Sequence, residues 1–572
     1  MTAHAQTSDY FATPWELQPE AVQQQNTPTL PANAPRGGLA ATSKTVQAFA
    51  PSSYSNLYGF STEAGNPRSP AWIFEPHIGV TEILTDNVFE TKSDKQADLI
   101  TDLSAGVTIR ADTAHLTGLL DYDGVLQRYL HAKELNDFSQ YLFSSAHATL
   151  IPGEFYFDLH ANIDDVRRDG SGLINPLLQA GNTTQTYTIS GSPYFSTRLG
   201  KLGYGTARYT ISQVWFNQNT GPLSLPVSPL FPVVGPISSA TQQELRGNVK
   251  LPGTVIERLA TEFAASGLSN DTGSIATGNF ERASGQMINE YELTRSLSLI
   301  GTGGYEALKD DKFSSVSGQG VTWDVGARWR PNADSSFLIL YGRHDLKSDI
   351  SGEIQYRFTP FTSFYAAYTD SISTSQQSVL ANNDASFLSA AGAVSGITFD
   401  QNSVISALND SSQQLDRDPD TLGVPFGIPL SDVDNFSPLQ NGIFRTKSFR
   451  AVLYSNFGSP PDSFALTVYN VQSDSLTGPV PPDTTTKGVD VTYSKQVTRD
   501  LNAFLDAGYS RQNIGDSNIW NAGIGATYDF SDKFFLRVRY DYIRRDAEDF
   551  APGGFGSGYI QNAVTISLLK SF

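Results

Sequence analysis

Tyr559-Ile-Gln-Asn-Ala-Val-Thr-Ile-Ser-Leu-Leu-Lys-Ser-Phe572 closes the chain, and its side chains alternate in character. Counted back by twos from Phe572, one row reads Lys570, Leu568, Ile566, Val564, Asn562 and Ile560. Successive side chains of a β-strand point to opposite faces, so this period of two predicts a strand with one apolar face.

The same period recurs upstream as far as Trp72. Phe155, Phe157, Leu159, Ala161 and Ile163 oppose Tyr156, Asp158, His160, Asn162 and Asp164. Val321, Trp323, Val325, Ala327 and Trp329 oppose Thr322, Asp324, Gly326, Arg328 and Arg330. Phe534, Leu536, Val538, Tyr540 and Tyr542 oppose Phe535, Arg537, Arg539 and Asp541. One face is greasy and the other carries charge.

A soluble sandwich also alternates, so the connections arbitrate. Tight turns fall near 111–112, 151–153, 200–202, 252–253, 294–296, 331–334, 359–361, 458–462, 498–500 and 531–533. Looser and mostly longer connections separate them, at 85–97, 129–137, 167–183, 218–238, 268–279, 309–319, 346–349, 375–445, 474–486, 514–518 and 548–557. Short turns on one side and longer loops on the other are the layout of an outer-membrane barrel, with turns periplasmic and loops extracellular. Ten turns and eleven loops join 22 strands, an even number that leaves both chain ends in the periplasm. The expected fold is therefore all-β: a single transmembrane antiparallel up-and-down β-barrel of about 22 strands, within a range of 18–22. Gln242 to Leu268 is the ambiguous stretch, because Thr254-Val-Ile-Glu-Arg-Leu-Ala also reads as helix; without that hairpin the wall has 20 strands. An aromatic girdle is expected from Trp72, Trp215, Trp323, Trp329, Tyr341, Tyr356, Tyr368, Tyr493, Tyr509, Trp520, Tyr528 and Tyr540.

Composition agrees. The 572 residues hold 39 Lys+Arg against 58 Asp+Glu, a formal charge of −19, which argues against nucleic acid as a partner. The absence of Cys excludes a disulfide scaffold, Cys-ligated metal and thiol catalysis. No run approaches the roughly 18 apolar residues of a membrane-spanning helix, but that criterion is blind to strands.

The N-terminus carries Ala3-His-Ala5, an A-x-A cleavage signature, so residues 1–5 read as the tail of a signal peptide. Residues 6–70, rich in Pro, Gln, Ser and Ala, read as a disordered periplasmic arm, since that composition buries too little apolar surface to offset the entropy of ordering. The barrel takes 71–572, with one long extracellular loop at 375–445.

If the apolar rows face lipid, the lumen-lining candidates are Asp324, Arg328, Arg330, Glu353, Arg357, Arg537, Arg539 and Asp541. Such inward charges define a solute path with a transverse field, or pair across strands and brace the wall. The long loop holds Asp384, Asp400, Asp410, Asp416, Asp418, Asp420, Asp432 and Asp434 against Arg417 and Arg445, so 8 − 2 = 6 of the 19 net negative charges lie there. Asp416, Asp418 and Asp420 have calcium-ligand spacing but lack the Gly and distal Glu of an EF-hand, and a solvated acidic loop is the expectation. No cofactor motif occurs, and no G-x-S-x-G, H-E-x-x-H or P-loop; His77, His115, His131, His147, His160 and His344 show no metal spacing, so no enzymatic role is expected.

A terminal Phe on an alternating strand resembles the sorting signal read by the barrel-assembly machinery of bacterial outer membranes, with Phe572, Leu568, Ile566 and Val564 in the signal row and Lys570 as a departure. Trp72-Ile-Phe-Glu-Pro-His-Ile-Gly-Val-Thr-Glu-Ile-Leu-Thr-Asp-Asn-Val88 resembles the opening strand of outer-membrane β-barrels encoded with exopolysaccharide and PEP-CTERM export systems. Arg328-Trp-Arg-Pro-Asn-Ala-Asp334, Leu340-Tyr-Gly-Arg-His344 and Tyr365-Ala-Ala-Tyr-Thr-Asp-Ser-Ile-Ser-Thr374 resemble that family's hairpin pattern. The resemblance implies a Gram-negative outer-membrane location beside polysaccharide secretion machinery, with lipid, the polysaccharide and periplasmic export proteins as partners. The leading expectation is passage for a secreted polysaccharide or its export partner. A diffusion porin for small solutes and a structural or adhesive barrel with a closed lumen are the alternatives. A TonB-dependent transporter would carry a plug domain far longer than the 6–70 arm, so uptake of that type is not expected.

Overall fold

The computed structural model describes residues 71–572 except 168–182, 201, 218–237, 257, 273–277, 333–334, 360–361, 381–441, 458–461, 478–482, 514–515, 532 and 548–557. The expectations for 1–5 and 6–70 lie outside the described residues, as do Asp416, Asp418 and Asp420.

The described strands are β1 (Trp72–Thr85), β2 (Asp98–Asp112), β3 (Leu116–Tyr129), β4 (Asp137–Ile151), β5 (Phe155–Arg167), β6 (Thr183–Arg198), β7 (Tyr204–Phe216), β8 (Ala240–Ile256), β9 (Leu259–Asp271), β10 (Phe280–Thr294) and β11 (Leu297–Asp310). The second half continues with β12 (Gly318–Asn332), β13 (Ser335–His344), β14 (Lys347–Thr359), β15 (Thr362–Thr374), β16 (Ile443–Phe457), β17 (Asp462–Ser475), β18 (Thr484–Gln496), β19 (Leu501–Gln512), β20 (Ser517–Ser531), β21 (Phe534–Asp546) and β22 (Tyr559–Ser571). Each strand pairs antiparallel with its neighbours in sequence, and β1 also pairs with β22, so the 22-stranded sheet closes on itself. Closure satisfies every strand edge without solvent, which is what a sheet must do to cross lipid.

The Gln242 to Leu268 stretch is a wall hairpin, β8–β9. The turn expected at Pro252-Gly253 is displaced to Arg258, whose φ of 65° reverses the chain, while the β8–β9 register shifts between Leu251 and Ile256. Proline cannot donate a ladder hydrogen bond, so Pro252 falls in the irregular stretch of the strand instead of ending it. The long connection is also shorter than expected, because Ile443 to Arg445 already belong to β16.

Face alternation follows the sequence rows. On β22, Ile560, Val564, Ile566, Leu568 and Phe572 are exposed, while Gln561, Ala563, Thr565, Ser567 and Leu569 are buried. Of the expected girdle, Trp72, Trp215, Trp329, Tyr341, Trp520, Tyr528 and Tyr540 are exposed on the outside. At the turn side they continue into rows of touching rings, Trp329–Phe337–Tyr356–Phe358 and Tyr528–Phe530–Phe534. An apolar exterior so continuous needs lipid as its solvent, and a closed barrel of this kind is an outer-membrane protein of a Gram-negative bacterium.

Candidate functional site

The inner face gathers some of the sequence-selected charges and separates others. Arg537, Arg539 and Asp541 lie on one strand, β21, and meet Asp506 of β19 across β20. Arg539 bridges both acids, with Nη1 2.8 Å from Asp506 Oδ1 and Nη2 2.6 Å from Asp541 Oδ1. Gly523, between them on β20, is the space this needs, since a Cβ there would lie 2.2 Å from Arg539 Nη2. Arg537 stacks over the Phe504 ring at 4.3 Å. Two cations and two anions thus share one buried rung of the wall.

The β12 candidates go elsewhere. Arg328 pairs with Glu290 of β10 at 2.6 Å, Arg330 stands 3.6 Å from the other Glu290 oxygen, and Asp324 meets His344 of β13 at 3.1 Å. Glu353 and Arg357 are half-buried on β14. A further group lies near the turn side: Asp158 accepts from His147 at 2.7 Å and from Arg208 at 2.8 Å, and Arg208 lies 3.9 Å over the Tyr194 ring, which stacks on Tyr156. Asp158 was visible in its row, but its partners come from β4 and β7, which only the register identifies.

The loop-side mouth holds what the sequence did not disclose. β13 and β14 are joined by Asp345 and Leu346 alone, both at positive φ (48° and 62°), the geometry of a primed two-residue hairpin turn. This low turn is tied down from four strands. The Asp345 carboxylate receives Arg282 of β10 and the Ile372 amide of β15 at 3.1 Å, Arg445 of β16 donates to the Asp345 carbonyl at 3.5 Å, and the Leu346 amide donates to Glu306 of β11 at 3.0 Å. Leu346 also enters an apolar cluster with Leu268, Phe280, Leu308, Ile372 and Ile443.

After β15 the chain turns inward instead of rising. Thr374-Ser-Gln-Gln377 forms a reciprocal cap: the Gln377 amide donates to Thr374 Oγ1 at 3.1 Å, and the Thr374 amide donates to Gln377 Oε1 at 2.8 Å. The cap starts a helical turn at 375–380. That turn places Val379 and Leu380 in a cluster with Val214 and Phe216 of β7 and Ala240 of β8. Asn270 of β9 donates to Thr374 Oγ1 at 3.0 Å, and Gln376 donates to the Ser238 carbonyl at 3.1 Å. Since β7 and β15 are far apart around the ring, residues 374–380 form a chord across the mouth.

No family model and no curated protein matches this chain. Among solved structures, it is similar in shape to the siderophore receptor PirA from Acinetobacter baumannii, at 9% identity over 87% of this chain and 80% of that one, with a TM-score of 0.46. The apoprotein form of the FrpB iron transporter from Neisseria meningitidis gives 10% identity over 87% and 81%, with a TM-score of 0.47. A mutant of the ferric enterobactin receptor PfeA from Pseudomonas aeruginosa gives 11% over 87% and 80%, with a TM-score of 0.43.

Proposed function

We propose that this protein is an outer-membrane transport barrel whose loop-side mouth is held shut by the chord 374–380 and opens when that chord is displaced. The observation that carries this reading is the chord itself, hydrogen-bonded to β9 and to Ser238 and buried against β7 and β8. A 22-strand wall encloses more space than its own side chains fill, and barrels of that width need an occluder if they are not to leak. Seven residues anchored at both ends supply part of one.

The cargo implied by the resemblance is a secreted polysaccharide or its export partner moving outward. Receptor-type uptake of a bulky ligand is the second reading, and the chord favours it: a gate built of specific hydrogen bonds suits opening on demand, whereas a threading polymer needs a continuous path.

Planar-bilayer recording on the full chain tests the channel. Wild type is expected to be silent or nearly so, and Thr374→Ala combined with Gln377→Ala to give frequent large openings. Silence in both, with folding certified by heat-modifiable gel migration, would sink the transport reading. Deletion of the gene then separates the cargoes, as lost polymer secretion supports export and retained secretion with impaired ligand uptake supports the receptor.

A further inference from the structure

We infer that His77, Asp121 and Asp123 form a binding site for a divalent transition-metal ion on the inner face of the barrel, stapling β1 to β3 beside the seam where the sheet closes. The inference stands whatever the cargo is, since it uses no mouth residue.

The sheet register builds the site. His77 on β1 is opposite Gly106 on β2, and Gly106 is opposite Asp123 on β3. Asp121 lies two residues from Asp123, hence on the same face. The middle position has to be glycine: a Cβ on Gly106 would stand 2.3 Å from both Asp123 Oδ1 and the Tyr122 carbonyl oxygen. Through that gap the imidazole and carboxylate meet over β2, with His77 Nε2 2.8 Å from Asp123 Oδ1. One ligand atom from each of the three residues lies within 4.8 Å of the others. His77 also pairs with Ser571, the penultimate residue, which places the group at the β1–β22 seam.

The second observation is electrostatic. His77 is 3% exposed and both aspartates 0%, yet Asp121 Oδ2 and Asp123 Oδ2 have no hydrogen-bond partner among the described residues. Among the described residues no Lys or Arg pairs with either acid; His77 is the cation-forming partner of Asp123, and Thr108 donates to Asp121 Oδ1 at 2.7 Å. Two buried carboxylates with idle oxygens are costly until a positive charge reaches them. With a neutral imidazole the three groups sum to −2, which one divalent ion cancels.

The donor set narrows the ion. One imidazole nitrogen with two carboxylates suits zinc, manganese or ferrous iron, with ligand bonds of about 2.0–2.2 Å for zinc. Ca²⁺ and Mg²⁺ favour all-oxygen shells and would leave His77 unused. Thr108 then acts as the positioning residue that orients the Asp121 ligand.

The test uses the untagged full chain, folded in detergent micelles, stripped with EDTA and titrated calorimetrically with zinc chloride alone. Heat-modifiable migration certifies each preparation as folded. Wild type is expected to take up one tightly bound Zn²⁺ per chain. Asp121→Asn with Asp123→Asn should lose it, Thr108→Val should bind about 10- to 100-fold more weakly, and Asp541→Asn should bind like wild type. Folded wild type with no stoichiometric uptake overturns the site, as does uptake unchanged in the double variant. If that variant does not fold, His77→Asn replaces it, and a wild-type titration there overturns the site equally.

Discussion

Two buried charge clusters, on β19–β21 and on β1–β3, are built alike and balanced differently. Each sets ionisable side chains on flanking strands over a glycine of the strand between them, Gly523 in one case and Gly106 in the other. In the first, Arg539 spans Asp506 and Asp541 at 2.8 and 2.6 Å, and with Arg537 buried on the same strand two cations stand against two anions within the wall. In the second, two aspartates face one imidazole, and among the described residues no Lys or Arg pairs with either acid. A self-neutral rung of charges braces the barrel. A rung with surplus charge asks for something from outside, so charge closure, more than the presence of charge, separates structural from ligand-seeking polar groups on an inner wall.

The strongest way to break this comparison is to unbalance the balanced rung. Arg539→Met leaves Asp506 and Asp541 facing each other without their shared cation, and removing one partner of a buried ion cluster costs about 3–5 kcal/mol. Unfolding in guanidinium followed by tryptophan fluorescence should show it. The fourfold change Asp506→Asn, Arg537→Met, Arg539→Met and Asp541→Asn should regain most of the loss, since it removes the charges together. Wild-type stability in Arg539→Met alone would mean the cluster braces nothing.

Gly106→Ala comes next. Its new methyl meets a backbone carbonyl that cannot rotate away, and overpacking of this kind costs about 1–3 kcal/mol. Gly303 on β11 is the control, because a Cβ there meets nothing within 4 Å; Gly303→Ala should be neutral or gain stability, alanine being the less entropically costly residue to order. Equal effects at the two glycines would remove the steric basis of the β1–β3 group.

Asp121→Asn should act in the opposite direction. In the metal-free barrel it deletes one of two like charges while keeping an oxygen for Thr108 Oγ1 to donate to, so the EDTA-stripped protein is expected to gain about 0.5–1 kcal/mol. Applied to the balanced rung, Asp541→Asn should lose stability instead. The same substitution with opposite signs at two sites is the sharpest form of the comparison, and a loss at both would contradict it.

These clusters also mark what a sequence can and cannot disclose. Strand count and face were legible because they depend on periods of two and on connection length, both local; the row from Phe572 to Ile560 was readable from spacing alone. Arg537, Arg539 and Asp541 were legible as inward because they share one strand. Their partner Asp506 was not, being some thirty residues away and fixed only by β19–β20–β21 register. His77 lies 46 residues from Asp123 and shows no metal spacing along the chain. Its ligand set is assembled across three strands, where a one-residue slip would turn His77 to lipid. The mouth stayed hidden for another reason: Thr374-Ser-Gln-Gln377 carries a capping pattern, but nothing in the sequence says that the helical turn it starts points inward. Polysaccharide passage rested on family resemblance and stays a proposal.

The outer face of the same seam gives the smallest effect. Lys570 interrupts the apolar row of β22 and sits beside Ile78 of β1, on the face opposite to His77 and Ser571. Its ammonium lies 5.1 Å from the centre of the Phe572 ring, at the turn-side end of the strand where a long stem can carry charge to the headgroups. The departure from an apolar row is therefore a polar anchor at the interface, and Lys570→Ala should cost about 0.5–1 kcal/mol through the lost cation–π contact. Lys570→Phe, which restores the aromatic row, should recover that amount in lipid but not in a zwitterionic detergent lacking an ordered headgroup layer. Equal stability of both variants in both media would show that the lysine is tolerated there, not used. Zinc affinity should be unchanged in either variant, because Lys570, paired with Ile78, lies on the face of the sheet opposite to His77.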